Sequence, residues 1–320
     1  MTIKTNRAYD KFKKSNSSLF WHKEKKYEEL WGSINDLIAV RESLKPLFVT
    51  VTSSKKKLKA LKDFCQREGL IFDFKKYNAS SDEKWNQFLS REKNDDNYNI
   101  FISKKRKLIN EANKMVHRGF TLNEGYNSKE FGLLLGYPSC CVESHSKASV
   151  FERLKPYACN KIPFYTNILL TGTRSNCRLM SHSLCSFNCK KTIELNKKIL
   201  SILKKEIPDY YRFLMKYLKK PLLFWVNGEQ GNFSLSDTLT VFVFDGKIEG
   251  KVLNYKKVHL NFPVNLAVKL INSPSVKEIE SMVKGNRLVI EKKNIKVYKD
   301  KKLLSKIKRG KQLAVLVDPV

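Results

Sequence analysis

Six of the seven cysteines in this chain crowd into one stretch, as Cys140, Cys141, Cys159, Cys177, Cys185 and Cys189; the seventh is Cys65. No other feature constrains the fold as much. Thiols brought this close pair, bind metal or react. The count is odd, and the chain opens Met1-Thr2-Ile3-Lys4-Thr5-Asn6-Arg7 with no apolar leader. Both facts argue against a disulfide framework and for metal or thiol chemistry in a reducing, cytoplasmic setting.

Two segments carry the pattern. The first runs Phe131-Gly132-Leu133-Leu134-Leu135-Gly136-Tyr137-Pro138-Ser139-Cys140-Cys141-Val142-Glu143, and the second Ser181-His182-Ser183-Leu184-Cys185-Ser186-Phe187-Asn188-Cys189. Ser139 and Ser186 each read as an N-cap, which puts Cys140, Cys141 and Cys189 in first helical turns with Cys185 just ahead. Free N–H groups and positive potential at such ends favour thiolate and anionic clusters. Neither segment alone closes a site, so Cys140 or Cys141 is expected beside His182, Cys185 and Cys189. Adjacent helical side chains diverge by about 100°, so both vicinal thiols are expected on one tetrahedral zinc only with distortion. An iron–sulfur cluster is the expected cofactor and mononuclear zinc the alternative. Cys65 reads as core. The polar loop with Asn167, Arg174 and Arg178 is the candidate for substrate binding, through phosphate or carboxylate.

The chain reads as α/β or α+β in four parts. Residues 1–45 form a charged helical segment with Trp21 and Trp31 as apolar anchors. Residues 46–126 form a small α/β unit: strands at 47–52, 70–74 and 99–102, helices from Ser53-Ser54 to about Glu68, over 84–91 and over 105–117. That order predicts a parallel sheet. Residues 127–220 form a helical Cys/His metal-site domain. Residues 221–320 form a β-rich basic domain. There Asp245-Gly246 predicts a hairpin turn, Lys293-Asn294 a weaker one, and 314–317 a last strand.

The formal net charge is +31. Such an excess suits a polyanion, and RNA or tRNA is the expected partner. Lysine carries most of it, which also fits a compositional bias. The run from Lys292 to Lys311 holds one acidic residue, Asp300; it reads as a solvated sheet edge or an RNA-facing one. No apolar run reaches the roughly 18 residues of a membrane span, so neither secretion nor membrane insertion is expected.

Over residues 127 to 200 the chain resembles the domain of unknown function family number four hundred and eighty-three. That family carries a Gly-Tyr-Pro-x-Cys-Cys segment and, downstream, a His-x-x-Cys-Ser-x-x-Cys segment. Here they stand as Gly136-Tyr137-Pro138-Ser139-Cys140-Cys141 and His182-Ser183-Leu184-Cys185-Ser186-Phe187-Asn188-Cys189, with Leu184 where the family has Pro. The resemblance implies no established reaction. A looser similarity links the thiol spacing to the cysteine-rich cluster domains of heterodisulfide reductases, where Gly stands in place of Val142.

The leading functional expectation is an iron–sulfur enzyme acting on RNA, as in tRNA modification, with Cys140 or Cys141 as nucleophile or persulfide carrier. The alternatives are a non-catalytic nucleic-acid-binding protein with structural zinc, and a metal or thiol enzyme on a small anionic substrate.

Overall fold

The computed structural model describes residues 30, 33–77, 97–118, 121–147, 160–166, 179, 181–226, 239–261, 276–291, 294–308 and 313–320. They form a mixed α/β protein with a β-rich C-terminal part. Trp21, Trp31 and the helix expected over 84–91 lie outside the described residues. No helix among the described residues is long and apolar enough to cross a membrane. Contacts divide the chain into two compact units. One draws on positions 24–148 and 178–211, the other on 149–177 and 212–320.

The first unit is built on a short sheet. Strands β1 (Leu47–Thr52) and β2 (Ile71–Tyr77) are joined by helix α2 (Lys55–Arg67), and β3 (Asn97–Ser103) lies between them. Ser54 caps α2, its hydroxyl accepting from Lys57 N at 3.2 Å, and Gly69 ends it at φ +65°. Both pairings of β3 are antiparallel. The expected parallel sheet is corrected here to a split β-α-β arrangement. The crossover does set β1 and β2 parallel, as the helix between them requires, but one strand apart. All seven residues of β3 are buried. Burial on both faces suits a central strand and leaves its direction unmarked in the sequence.

Helix α1 (Ile34–Arg41) is buried from Ile34 to Val40. Helix α3 (Arg106–Met115) runs into a two-stranded ladder of β4 (Val116–Arg118) and β5 (Thr121–Leu122); it packs Ile109, Ala112 and Met115 against Leu47, Val49 and Phe101, and Phe131 and Leu135 join the same core. These last two belong to the stretch that carries the first cysteine segment. Helix α4 (Ser128–Leu134) is capped by Asn127, with Glu130 closing the capping box. It stops in a Schellman turn, Tyr137 N to Gly132 O and Gly136 N to Leu133 O. Gly136 has φ +74°, and a Cβ there would meet Pro46 Cδ at 2.3 Å, so only glycine fits. Helix α5 (Ser139–Lys147) starts straight after this turn. Helix α6 (Lys190–Glu206) is tied to α1 by Arg41, which donates to Glu206 at 2.6 and 2.7 Å.

Helix α7 (Pro208–Leu218) begins in the first unit and belongs to the second from Arg212, where the chain goes on into an eight-stranded sheet. Strands β7 (Leu222–Val226), β8 (Leu239–Glu249), β9 (Val252–Asn261), β10 (Arg287–Ile290), β11 (Asn294–Lys299) and β12 (Lys302–Lys308) form a meander. Strand β13 (Leu313–Pro319) adds beside β7, and β6 (Asn160–Ile162) pairs parallel to β13 at the far edge. Helix α8 (Val276–Lys284) covers the sheet, with Met282 in its core. The β10–β11 hairpin expected near Lys293-Asn294 is present, pairing Ile290 with Ile295. The turn expected at Asp245-Gly246 is corrected. Those residues continue β8 past a register shift whose extra residue, Lys256, lies in β9, and the chain reverses at Gly250, φ +60°. A Cβ on Gly246 would sit 2.2 Å from Asn254 O, so its glycine serves close strand approach. The lysine-rich strand β12 forms the opposite edge.

Candidate metal centre

Four sulfurs converge in the first unit. The Sγ atoms of Cys140, Cys141, Cys185 and Cys189 all lie within 4.8 Å of one another, and the group could hold a metal ion. Cys189 is the hub, 3.7 Å from Cys140 and 3.6 Å from Cys141. The expected meeting of the two segments is what the fold delivers.

Local chain geometry differs from the expected caps, and this explains the convergence. Ser139 is the first residue of α5, and the N–H groups of Cys141 and Val142 both bond back to Pro138 O at 2.8 and 3.0 Å. Cys189 is itself the N-cap of α6. Ser186 instead organises the turn before it, accepting from Asn188 N on its hydroxyl and from Cys189 N on its carbonyl. Cys185 and Cys189 therefore meet across turns, not along a helix face. The divergence expected of vicinal thiols is also corrected. At the tight start of a helix both can face the same neighbour, and here both reach Cys189.

His182 was expected among the ligands but stands outside the four-sulfur group. Its Nε2 lies 2.9 Å from Thr192 Oγ1. Thr192 in turn donates to Cys189 Sγ at 3.4 Å and lies 3.7 Å from Cys141 Sγ. Since that hydroxyl proton is used on sulfur, His182 donates through Nε2. Burial, helped by the Lys45 charge, pushes the His182 imidazole down to about 3, so it is neutral. Its ring lies 5.2 Å from that of Tyr137, whose hydroxyl donates to Ser181 O at 3.2 Å.

Behind this layer lies a buried ion pair. Lys45 Nζ is 2.5 Å from Asp36 Oδ1, with the two side chains 5% and 7% exposed. Ser181 Oγ accepts from Lys45 at 2.9 Å and donates to Asp36 at 2.8 Å. Thr192, Asp36 and Lys45 carried no role in the sequence reading. The Cys189-x-x-Thr192 spacing across a helix start could have flagged Thr192. Nothing local marks Lys45 or Asp36.

Electrostatics separate the thiols. Burial pushes Cys141 up to about 11, eased by the Cys185 N–H and the Thr192 hydroxyl. Cys185 is raised by burial and by its thiol neighbours. Cys189 lies below its usual value: burial opposes this, but hydrogen bonds from Thr192 and the neighbouring thiols outweigh it. Four thiolates this close would repel one another without a cation. A soft metal ion supplies that charge and displaces their protons on binding. Cys65 is 0% exposed in the core, as expected, and His145 is exposed. Cys159, Cys177, Asn167, Arg174 and Arg178 lie outside the described residues. Comparison with protein-family models, with curated proteins and with solved structures found no match.

Proposed function

We propose that this is a metal-binding protein in which Cys140, Cys141, Cys185 and Cys189 hold a single tetrahedral ion of the zinc type, and that its basic surface binds RNA. The sulfur spacing carries the first part. A tetrahedral ion with metal–sulfur bonds of about 2.3 Å sets its sulfurs about 3.8 Å apart, and Cys189 stands 3.7 and 3.6 Å from its two neighbours. An iron–sulfur cluster spreads its ligands over several irons and needs a wider cage. Four thiolates fill the shell, and such closed sites are structural. The resulting double negative charge is offset at the start of α6, a 17-residue helix whose N-cap is Cys189.

The RNA part is supported by the +31 charge and by the lysine-rich edge strand β12. Metal analysis with an absorption spectrum of protein purified without air tests the centre. One zinc per chain and a colourless solution are expected. A brown protein with iron and sulfide would restore the iron–sulfur enzyme reading. RNA binding should weaken steeply with salt, and reversing lysines between Lys292 and Lys311 should flatten that slope. Absence of binding at low salt would leave the charge compositional.

A further inference from the structure

The four sulfurs are not equivalent. Cys141 and Cys189 are 1% and 6% exposed, whereas Cys140 and Cys185 are half-buried. Thr192 stands over the buried pair, 3.4 Å from Cys189 and 3.7 Å from Cys141, and the Cys185 N–H also points at the Cys141 sulfur. Among the described residues no hydroxyl comes within hydrogen-bond reach of Cys140 or Cys185. Hydrogen bonding and burial both suppress thiolate nucleophilicity, even on a metal.

We infer that the centre has one reactive edge, Cys140 and Cys185, where soft electrophiles attack and where a peroxide forms a disulfide that opens the site. The inference rests on the four-thiolate reading above. The chemistry balances with peroxide as the oxidant. One of the two thiolates attacks a peroxide oxygen: an S–O bond forms, the O–O bond breaks and hydroxide leaves. The other thiolate attacks that sulfur, forming S–S and expelling the second hydroxide. Two thiolates lose two electrons in all, and peroxide becomes two hydroxides. The sulfurs are within 4.8 Å, so a side-chain shift of at most about 3 Å brings them to the roughly 2.05 Å of a disulfide. Removing two of four ligands leaves Cys141 and Cys189 too few to retain the ion, and the protein gains a cross-link from the start of α5 to the turn before α6. The site is then both a structural clamp and a modification site for peroxides.

The test uses the full-length protein as purified, with metal and free thiols counted before any reagent is added. Limiting hydrogen peroxide should release one metal per two thiols lost, and peptide mapping should find Cys140 joined to Cys185. Limiting N-ethylmaleimide should label Cys140 or Cys185 roughly tenfold faster than Cys141 or Cys189, the size of one hydrogen bond's worth of protection. Peptides with Cys65, Cys159 and Cys177 are read separately. Thr192→Val should keep the metal and spread labelling to Cys189, and Thr192→Ser should restore the pattern. First modification at Cys141 or Cys189, or equal rates at all four, would overturn the inference while leaving the metal reading intact. Absence of metal before reagent would overturn both.

Discussion

The sulfur of Cys141 lies 3.6 Å from that of Cys189, although 48 positions separate them in the chain. Only the fold sets this distance. The Schellman turn at Gly136 ends α4 and aims α5, and the turns from Ser181 bring Cys189 to the start of α6. Bound metal would therefore reinforce a meeting that the Tyr137 hydroxyl on Ser181 O and the Tyr137–His182 ring contact already make.

Cys141→Ala and Cys189→Ala should each lose the ion and destabilise the first unit. Binding at a thousandfold excess over the dissociation constant is worth about 4 kcal/mol of stability. Denaturant unfolding with and without a chelator measures it. The chelator should cost the native protein as much as either substitution, and should cost the variants nothing.

His182→Gln should keep one metal per chain. The imidazole serves Thr192, and an amide can still donate to that hydroxyl. The expected penalty is about 1 kcal/mol. Loss of metal in this variant, measured by elemental analysis, would make His182 a ligand after all.

Much of this was legible in the sequence. Strand β1 and helix α2 fall on their expected residues, because Ser54, Gly69 and the apolar runs mark their own boundaries. The cysteine grouping was legible too, since no packing argument explains so many thiols in two short segments. The direction of β3 was not, because a strand buried on both faces carries no sign of its partner. Asp245-Gly246 misled because its glycine serves close strand approach opposite a bulge in β9 rather than a tight turn. The buried Lys45–Asp36 pair was invisible, because a lone lysine before a proline looks like surface.

Lys45→Met should cost about 3–5 kcal/mol, because it leaves the Asp36 carboxylate buried without its cation. Adding Asp36→Leu should recover a good part of that loss. A double-mutant cycle in urea reads the coupling. Additive losses would mean that the pair is solvated and contributes little.

Cys65 gives the chain a specific alkaline weakness. Burial raises its thiol from 9.0 to about 12. The unfolded chain therefore ionises first. Its contribution is complete below pH 9 and is lost as pH rises from about 9 to about 12, by about 1.4 kcal/mol per pH unit. Cys65→Val should fall less steeply in stability between pH 9 and 10.5. Parallel curves for the two proteins would mean that Cys65 is solvated.

X-ray absorption at the metal edge tests the central claim most directly. The account predicts zinc with four sulfur neighbours at about 2.3 Å and no second metal nearby. An iron edge with metal–metal scattering, or a shell in which nitrogen from His182 replaces sulfur, would contradict it.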